Sequence, residues 1–206
     1  MAHARATCAL ATSQAMQLED VLLLPTLVRS VGGLRKPGVF VELGALDGKK
    51  FSNTWMLEQC FGWRGVLIEA NPLNFAKLNA SGRSATMVHS AVCMEGQGTV
   101  QISIDGGETA GELSFLTKKR QKSRARRVVD VPCEPLRSIM ARHGHTSADF
   151  LSLDVEGAHT LLTAACLSCE CGPGATAKTA TSVPLARCRG ESARNLRPAH
   201  LQSGDG

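Results

Sequence analysis

Hydrophobic and polar positions follow two rhythms along this chain, and each change of rhythm marks an element. Near the start, SQAMQLEDVLLLPTLVRSVGG sets Met16, Val21, Leu24 and Val28 at close to helical spacing. Pro25 is expected to kink or interrupt that helix, because proline removes a backbone donor, and Gly32 and Gly33 to end it. VFVEL, from Val39 to Leu43, is a short apolar run leaving into the glycine turn GALDG. FSNTWMLEQCFGW returns to a helical rhythm, with Phe51, Trp55, Met56 and Cys60 on one face. GVLIEANP reads as a second strand, and Asn71 as an N-cap with Pro72 at the first helical position. The helix LNFAKLNA then stops near Gly82. ATMVHSAVC and GTVQISID are further strand candidates, and VVDVP is extended. EPLRSIMARHG predicts a helix with Leu136, Ile139 and Met140 on one face and Gly144 past its end. DFLSLDVEG is apolar on both faces, as a central parallel strand is. Strands alternating with helices predict a parallel α/β sheet with right-handed crossovers.

The rhythm fails after Ala158. Residues 159–206 hold no Phe, Trp, Tyr or Ile and are rich in Ala, Thr, Ser, Gly, Cys, Pro and Arg. Such a segment buries too little apolar surface to offset its ordering entropy. It is expected to be irregular or disordered, apart from a short helix from Thr160 to Cys166. The chain thus divides into an N-terminal leader or helix (1–34), an α/β domain (35–158) and a tail (159–206).

At 206 residues the chain suffices for one domain with a substantial core. Its apolar runs fall short of the roughly 18–20 residues that cross a bilayer, and VLLLPTLV carries a proline. The first sixteen residues are basic and acid-free, which reads as a frayed leader, with an organelle transit peptide as the alternative. No secretory pattern stands out, so the default compartment is the cytoplasm and the eight cysteines are expected as reduced thiols. Cys166, Cys169, Cys171 and Cys188 lack the second CxxC or His pair of a zinc site. Net charge is +5, and seven basic residues stand between Lys118 and Arg127. That run has no interleaved aromatics for base stacking, so it reads as a solvated loop and argues against a nucleic-acid partner.

The chemistry gathers at three strand ends, VELGALDG, LIEANP and LDVEG. In open α/β sheets ligands bind outside the carboxyl ends of the strands. Glu42, Gly44, Asp47 and Gly48 form an acidic glycine turn, and glycines let a ligand approach the backbone. Glu69 ends the second strand about twenty residues on, where an acid can accept from both ribose hydroxyls of a nucleoside. An acidic, glycine-lined pocket suits a cationic nucleoside such as S-adenosylmethionine. The dinucleotide fingerprint G-x-G-x-x-G is missing and the chain has no tyrosine, which argues against a nicotinamide oxidoreductase. LDVEG stands where an RNA base methyltransferase would carry Asn-Pro-Pro-aromatic.

VFVELGALDG, GVLIEANP, the HSAVC turn and DFLSLDVEGA together resemble the FkbM-type branch of class I S-adenosylmethionine-dependent methyltransferases, from Gly38 to Ala158. The resemblance implies a Rossmann-like sheet of order 3-2-1-4-5-7-6. It also implies methyl transfer, often to a hydroxyl, here of a small molecule or glycan. Glu42, Gly44 and Gly48, with Asp47 among them, would then line the methionine end of the cofactor, and Glu69 would bind its ribose. Ser90 and Ala91 would sit beside the adenine, with His89 near by. Asp154 and Glu156 would face the transferable methyl and the acceptor. One of that pair would serve as general base, or the two would hold a divalent metal, or Asp154 would only cap the turn.

His159 stands where the family has glutamate, and nothing beyond it resembles strands five to seven. The sheet is therefore expected to be truncated after its fourth strand, leaving an exposed edge open to self-association. The competing reading is an inactive methyltransferase-like fragment that serves as an interaction module.

Overall fold

The computed structural model of the chain describes residues 2–33, 35–104, 127–154 and 182–183. Two N-terminal helices, α1 (Ala2–Thr12) and α2 (Glu19–Ser30), precede strand β1 (Val39–Leu43). Then follow α3 (Trp55–Phe61), β2 (Arg64–Glu69), α4 (Pro72–Asn79), β3 (Thr86–His89), β4 (Ala91–Val92) and β5 (Thr99–Ser103). The remaining described elements are β6 (Val128–Glu134), α5 (Leu136–Arg142), β7 (Phe150–Leu153) and the two-residue β8 (Ser182–Val183).

The main sheet has the order β3-β2-β1-β7-β8. β1 lies parallel to both β2 and β7, and β2 parallel to β3, so the carboxyl ends of four strands share one edge. The architecture is Rossmann-like, with the chain's change of direction between β1 and β7.

The period of two along β1 sorts its side chains into two layers. Phe40 and Glu42 face one side and Val41 and Leu43 the other. The first side is covered by the N-terminal helices, α3 and α4, and its core holds Leu27, Phe40, Met56, Leu57, Leu67, Leu78 and Phe150. On the second side, Ile139 and Met140 of α5 pack on Val41, Val66, Ile68 and Leu151. Each such fully buried side chain contributes about 1.5–3 kcal/mol. Asn71 caps α4 as expected, its side chain accepting from the Leu73 amide ahead of Pro72.

Several expectations need correction. The frayed leader is a packed helix: Ala9 is buried in the core, and Cys8 is bonded to Cys60 of α3. A second disulfide joins Cys93 to Cys133, so at least these four cysteines are not free thiols. Both pairs are remote in sequence, 52 and 40 residues apart, and only the fold brings them together. α2 runs on through Pro25 rather than ending there. Phe51 is not on the α3 face, because it adopts a left-handed backbone before the helix begins.

ATMVHSAVC is not one strand. After His89 the chain leaves the main sheet, and Ala91–Val92 pair with β6 in a second sheet of order β4-β6-β5. Nor is the outer edge of β7 bare. β8 pairs antiparallel with it, Leu151 opposite Val183 and Ser152 opposite Ser182. Most of the tail, the basic run up to Arg126 and the four cysteines weighed for zinc lie outside the described residues. Among the described residues no helix is long and apolar enough to cross a membrane.

Candidate functional site

The shared carboxyl edge is built mainly from the loop that follows β1. Gly44 and Ala45 donate their amides to the Ile68 carbonyl, which holds the start of the loop against β2. Gly44 has φ +77°, and a Cβ there would lie 2.0 Å from the Asp154 carbonyl oxygen. Glycine is thus dictated by the close passage of the backbone at the end of β7. At Gly48 (φ +82°) a Cβ would press on Leu78 and Arg83. Leu46 and Phe51, at φ 52° and 62°, hold left-handed conformations without being glycine. Each costs about 1–3 kcal/mol and persists only where neighbours enforce it.

Those neighbours are two buried carboxylates and one arginine. Glu69, at the end of β2, accepts the Leu46 amide at 2.8 Å on one oxygen and the Asn71 amide at 2.8 Å on the other. Burial raises its pKa from the ordinary 4.5 to about 7, against those hydrogen bonds, and the charge of Asp154 pushes it the same way. Two carboxylates, at the ends of the strands that flank β1 on either side, make this edge of the sheet acidic. Asp47 spends one oxygen on the Lys49 and Lys50 amides in a turn of its own.

Glu42 lies deeper on the same face of the sheet. One oxygen accepts Ser52 Oγ at 2.8 Å and Thr54 Oγ1 at 2.6 Å, and the other accepts the Asn53 amide at 2.8 Å. Burial pushes its pKa up, while Arg83, with Nη1 3.9 Å away, and the hydroxyls draw it back. Asn53 donates Nδ2 to Ser152 Oγ on β7 at 3.0 Å, and its buried Oδ1 accepts from nothing. A buried acceptor left unmatched is costly, and a ligand with N–H donors would satisfy it.

A family model for the methyltransferase FkbM domain matches residues 42–159, more than half of the chain. The chain belongs to the FkbM methyltransferase family. No curated protein and no solved structure matches it. The matched span starts at Glu42, at the mouth of the first crevice loop, and runs through the end of β7.

Within this FkbM domain, the fold brings Glu42, Gly44, Asp47, Gly48 and Glu69 to one end of the sheet, and Asp154 to the neighbouring strand end. Asp154 is exposed, and its amide donates to the Leu43 carbonyl. Glu156 lies outside the described residues. Ser90 is buried at the switch between sheets, its hydroxyl donating to the Ala91 and Pro132 carbonyls. Ala91 pairs with Cys133 in the second sheet. His89 stacks on Phe75 with ring centroids 4.9 Å apart, and its Nε2 is 3.1 Å from the Ala70 carbonyl. Among the described residues, no group of three or more His, Cys, Asp or Glu stands as a metal-ligating cluster.

Sequence reasoning passed over Ser52, Asn53, Thr54, Glu58, Arg83 and Ser152. The signal available was the polar triplet SNT immediately before an apolar helix, which the helical reading of FSNTWMLEQCFGW absorbed into the helix itself. Thr54 occupies the N-cap position yet makes no capping hydrogen bond with its side chain, because that hydroxyl is turned to Glu42.

Proposed function

We propose that this domain is an S-adenosylmethionine-dependent methyltransferase acting on a hydroxyl oxygen of a small molecule or glycan. The observation that carries the reading is Glu69: a buried carboxylate at the end of β2, tied to the loop after β1 through the Leu46 amide. Placed there, it would accept the ribose hydroxyls. The negative charge of Glu69 and Asp154 and the unmatched Asn53 Oδ1 suit a cation bearing N–H donors.

Bound, S-adenosylmethionine supplies an electrophilic methyl group on a sulfonium. The protein's part is to hold the reactants in line and to exclude water, which supplies much of the acceleration. Glu42, Asp47 and the two glycines would shape the loop around the methionine end. Ser90 and Ala91 would border the adenine. Asp154 or Glu156 would hold the acceptor hydroxyl and take its proton as general base.

Thermal unfolding of the purified chain with S-adenosylmethionine or S-adenosylhomocysteine tests the reading. Stabilisation is expected at ligand concentrations above the dissociation constant, and Glu69→Ala should abolish most of it. No shift at millimolar ligand would sink the proposal and leave a methyltransferase fold without a working cofactor site.

A further inference from the structure

The loop from Gly44 to Thr54 contains no regular secondary structure, yet two of its non-glycine residues are held in left-handed conformations. Glu69 secures its first half through the Leu46 amide. The second half is secured from elsewhere. Arg83, in the connection between α4 and β3, has a fully buried side chain directed at this loop. Nη1 donates to the Gly48 carbonyl at 2.6 Å and to Ser52 Oγ at 3.1 Å. Nη2 donates to Thr54 Oγ1 at 2.9 Å. Nε donates to Glu58 Oε2 of α3 at 2.9 Å, which fixes the plane of the guanidinium. Its centre also lies over the Phe40 and Trp55 rings, at 5.6 and 5.4 Å.

The contacts form a relay. Ser52 and Thr54 each receive a hydrogen bond from Arg83 and pass one on to the same oxygen of Glu42. The middle of the loop, its end and the first strand are thereby locked to one planar group. A fork of N–H donors in fixed geometry can do this, whereas an ammonium, a flexible point charge, cannot reproduce all three directions.

We infer that Arg83 is a positioning residue for the cofactor loop: it sets the shape of residues 48–54, and through them the binding of the cofactor's methionine end, without touching the cofactor. The inference rests on the reading of this crevice as an S-adenosylmethionine site. It assigns to Arg83 an effect on affinity over and above its effect on stability.

Arg83→Lys keeps the charge beside Glu58 and removes the fork. Hydrogen–deuterium exchange of the free protein should show amides of residues 45–54 exchanging at least about tenfold faster, with β1 and β2 unchanged. Titration with S-adenosylmethionine should give a dissociation constant raised about tenfold or more, and turnover a raised cofactor KM with kcat much less affected. Should the lysine variant not fold, Thr54→Val, which cuts one arm of the relay at equal volume, is read in the same way. Unchanged loop exchange, or faster exchange spread evenly over β1 and β2, overturns the inference, since either describes a residue that only stabilises. If the wild-type chain binds no S-adenosylmethionine, the functional reading falls, and the exchange measurement on the free protein still decides whether Arg83 shapes the loop.

Discussion

Glu42 and Glu69 are the same residue type, on the same face of the same sheet, and almost equally buried. Their surroundings are nonetheless opposite in kind. Glu42 is saturated by two hydroxyls and an amide and stands beside a guanidinium. Glu69 has one backbone amide on each oxygen, no guanidinium beside it among the bonds it makes, and the negative charge of Asp154 acting on it from across β1. A saturated carboxylate holds structure together, because every group around it depends on its charge. One with spare acceptor capacity at a strand end is available to a ligand. The position of an acid in a motif therefore says less about its role than the donors the fold brings to it.

The largest test of that contrast is truncation. Glu42→Ala strands the Asn53 amide, unbalances Arg83 and opens a cavity, and should lower the unfolding free energy by about 3–5 kcal/mol in urea. Glu69→Ala at the same pH should cost less than half as much and show its effect in ligand binding. Equal losses of stability would break the comparison.

Next comes the staple over the Glu42 face. Cys8–Cys60 joins α1 to α3 across 52 residues, and Cys8→Ser with Cys60→Ser should cost about 2–4 kcal/mol. Because Glu69 is held by the Leu46 and Asn71 amides and not by α1 or α3, the variant should leave the pH response of Glu69 in place. Structural disulfides form and persist in oxidising surroundings. Alkylation without reductant should accordingly leave Cys8, Cys60, Cys93 and Cys133 unmodified, while labelling at these positions would overturn the pairing.

The pH response is the third test. A carboxyl whose folded pKa is raised binds its proton more tightly in the native state than in the unfolded chain. Its penalty is absent below about pH 4.5, grows as pH rises toward 7 and is constant above. Over that window Glu69 should subtract about 3 kcal/mol of stability. In Glu69→Gln this fall should disappear, so the wild type should lose ground to the variant between pH 4.5 and 7.5. A constant gap would mean that Glu69 is ionised throughout, like an ordinary surface acid. Affinity for a ligand that donates hydroxyls to the carboxylate should rise as pH passes through about 7, where native Glu69 ionises.

The parallel strands, the cap at Asn71 and the acidic strand ends were legible in the sequence, since each is written in consecutive residues. The clamp around Glu42 was not. Arg83 lies 31 residues from Ser52 and 25 from Glu58, and nothing local marks a lone arginine after a glycine as a buried hub. The disulfides were hidden for the same reason. The break at Ser90 escaped because ATMVHSAVC keeps a uniform β composition while the backbone passes from one sheet to the other. Local rhythm shows where strands are; which sheet a strand joins is decided by partners remote in sequence.

The smallest test separates the two ways in which Asn71 serves the site. Its side chain caps α4, accepting the Leu73 amide at 2.9 Å, and its backbone amide holds Glu69. Asn71→Ala removes the first and keeps the second, so it should cost about 1 kcal/mol, the usual loss for an N-cap. The pH window in which Glu69 titrates should then stay where it is, because burial and the amide are both retained. A shift of that window would show that the capped end of α4, rather than the strand end alone, fixes the environment of Glu69. The contrast with Glu42 would then extend to the helix: side chains from loop and connection hold one carboxylate, and a helix start holds the other.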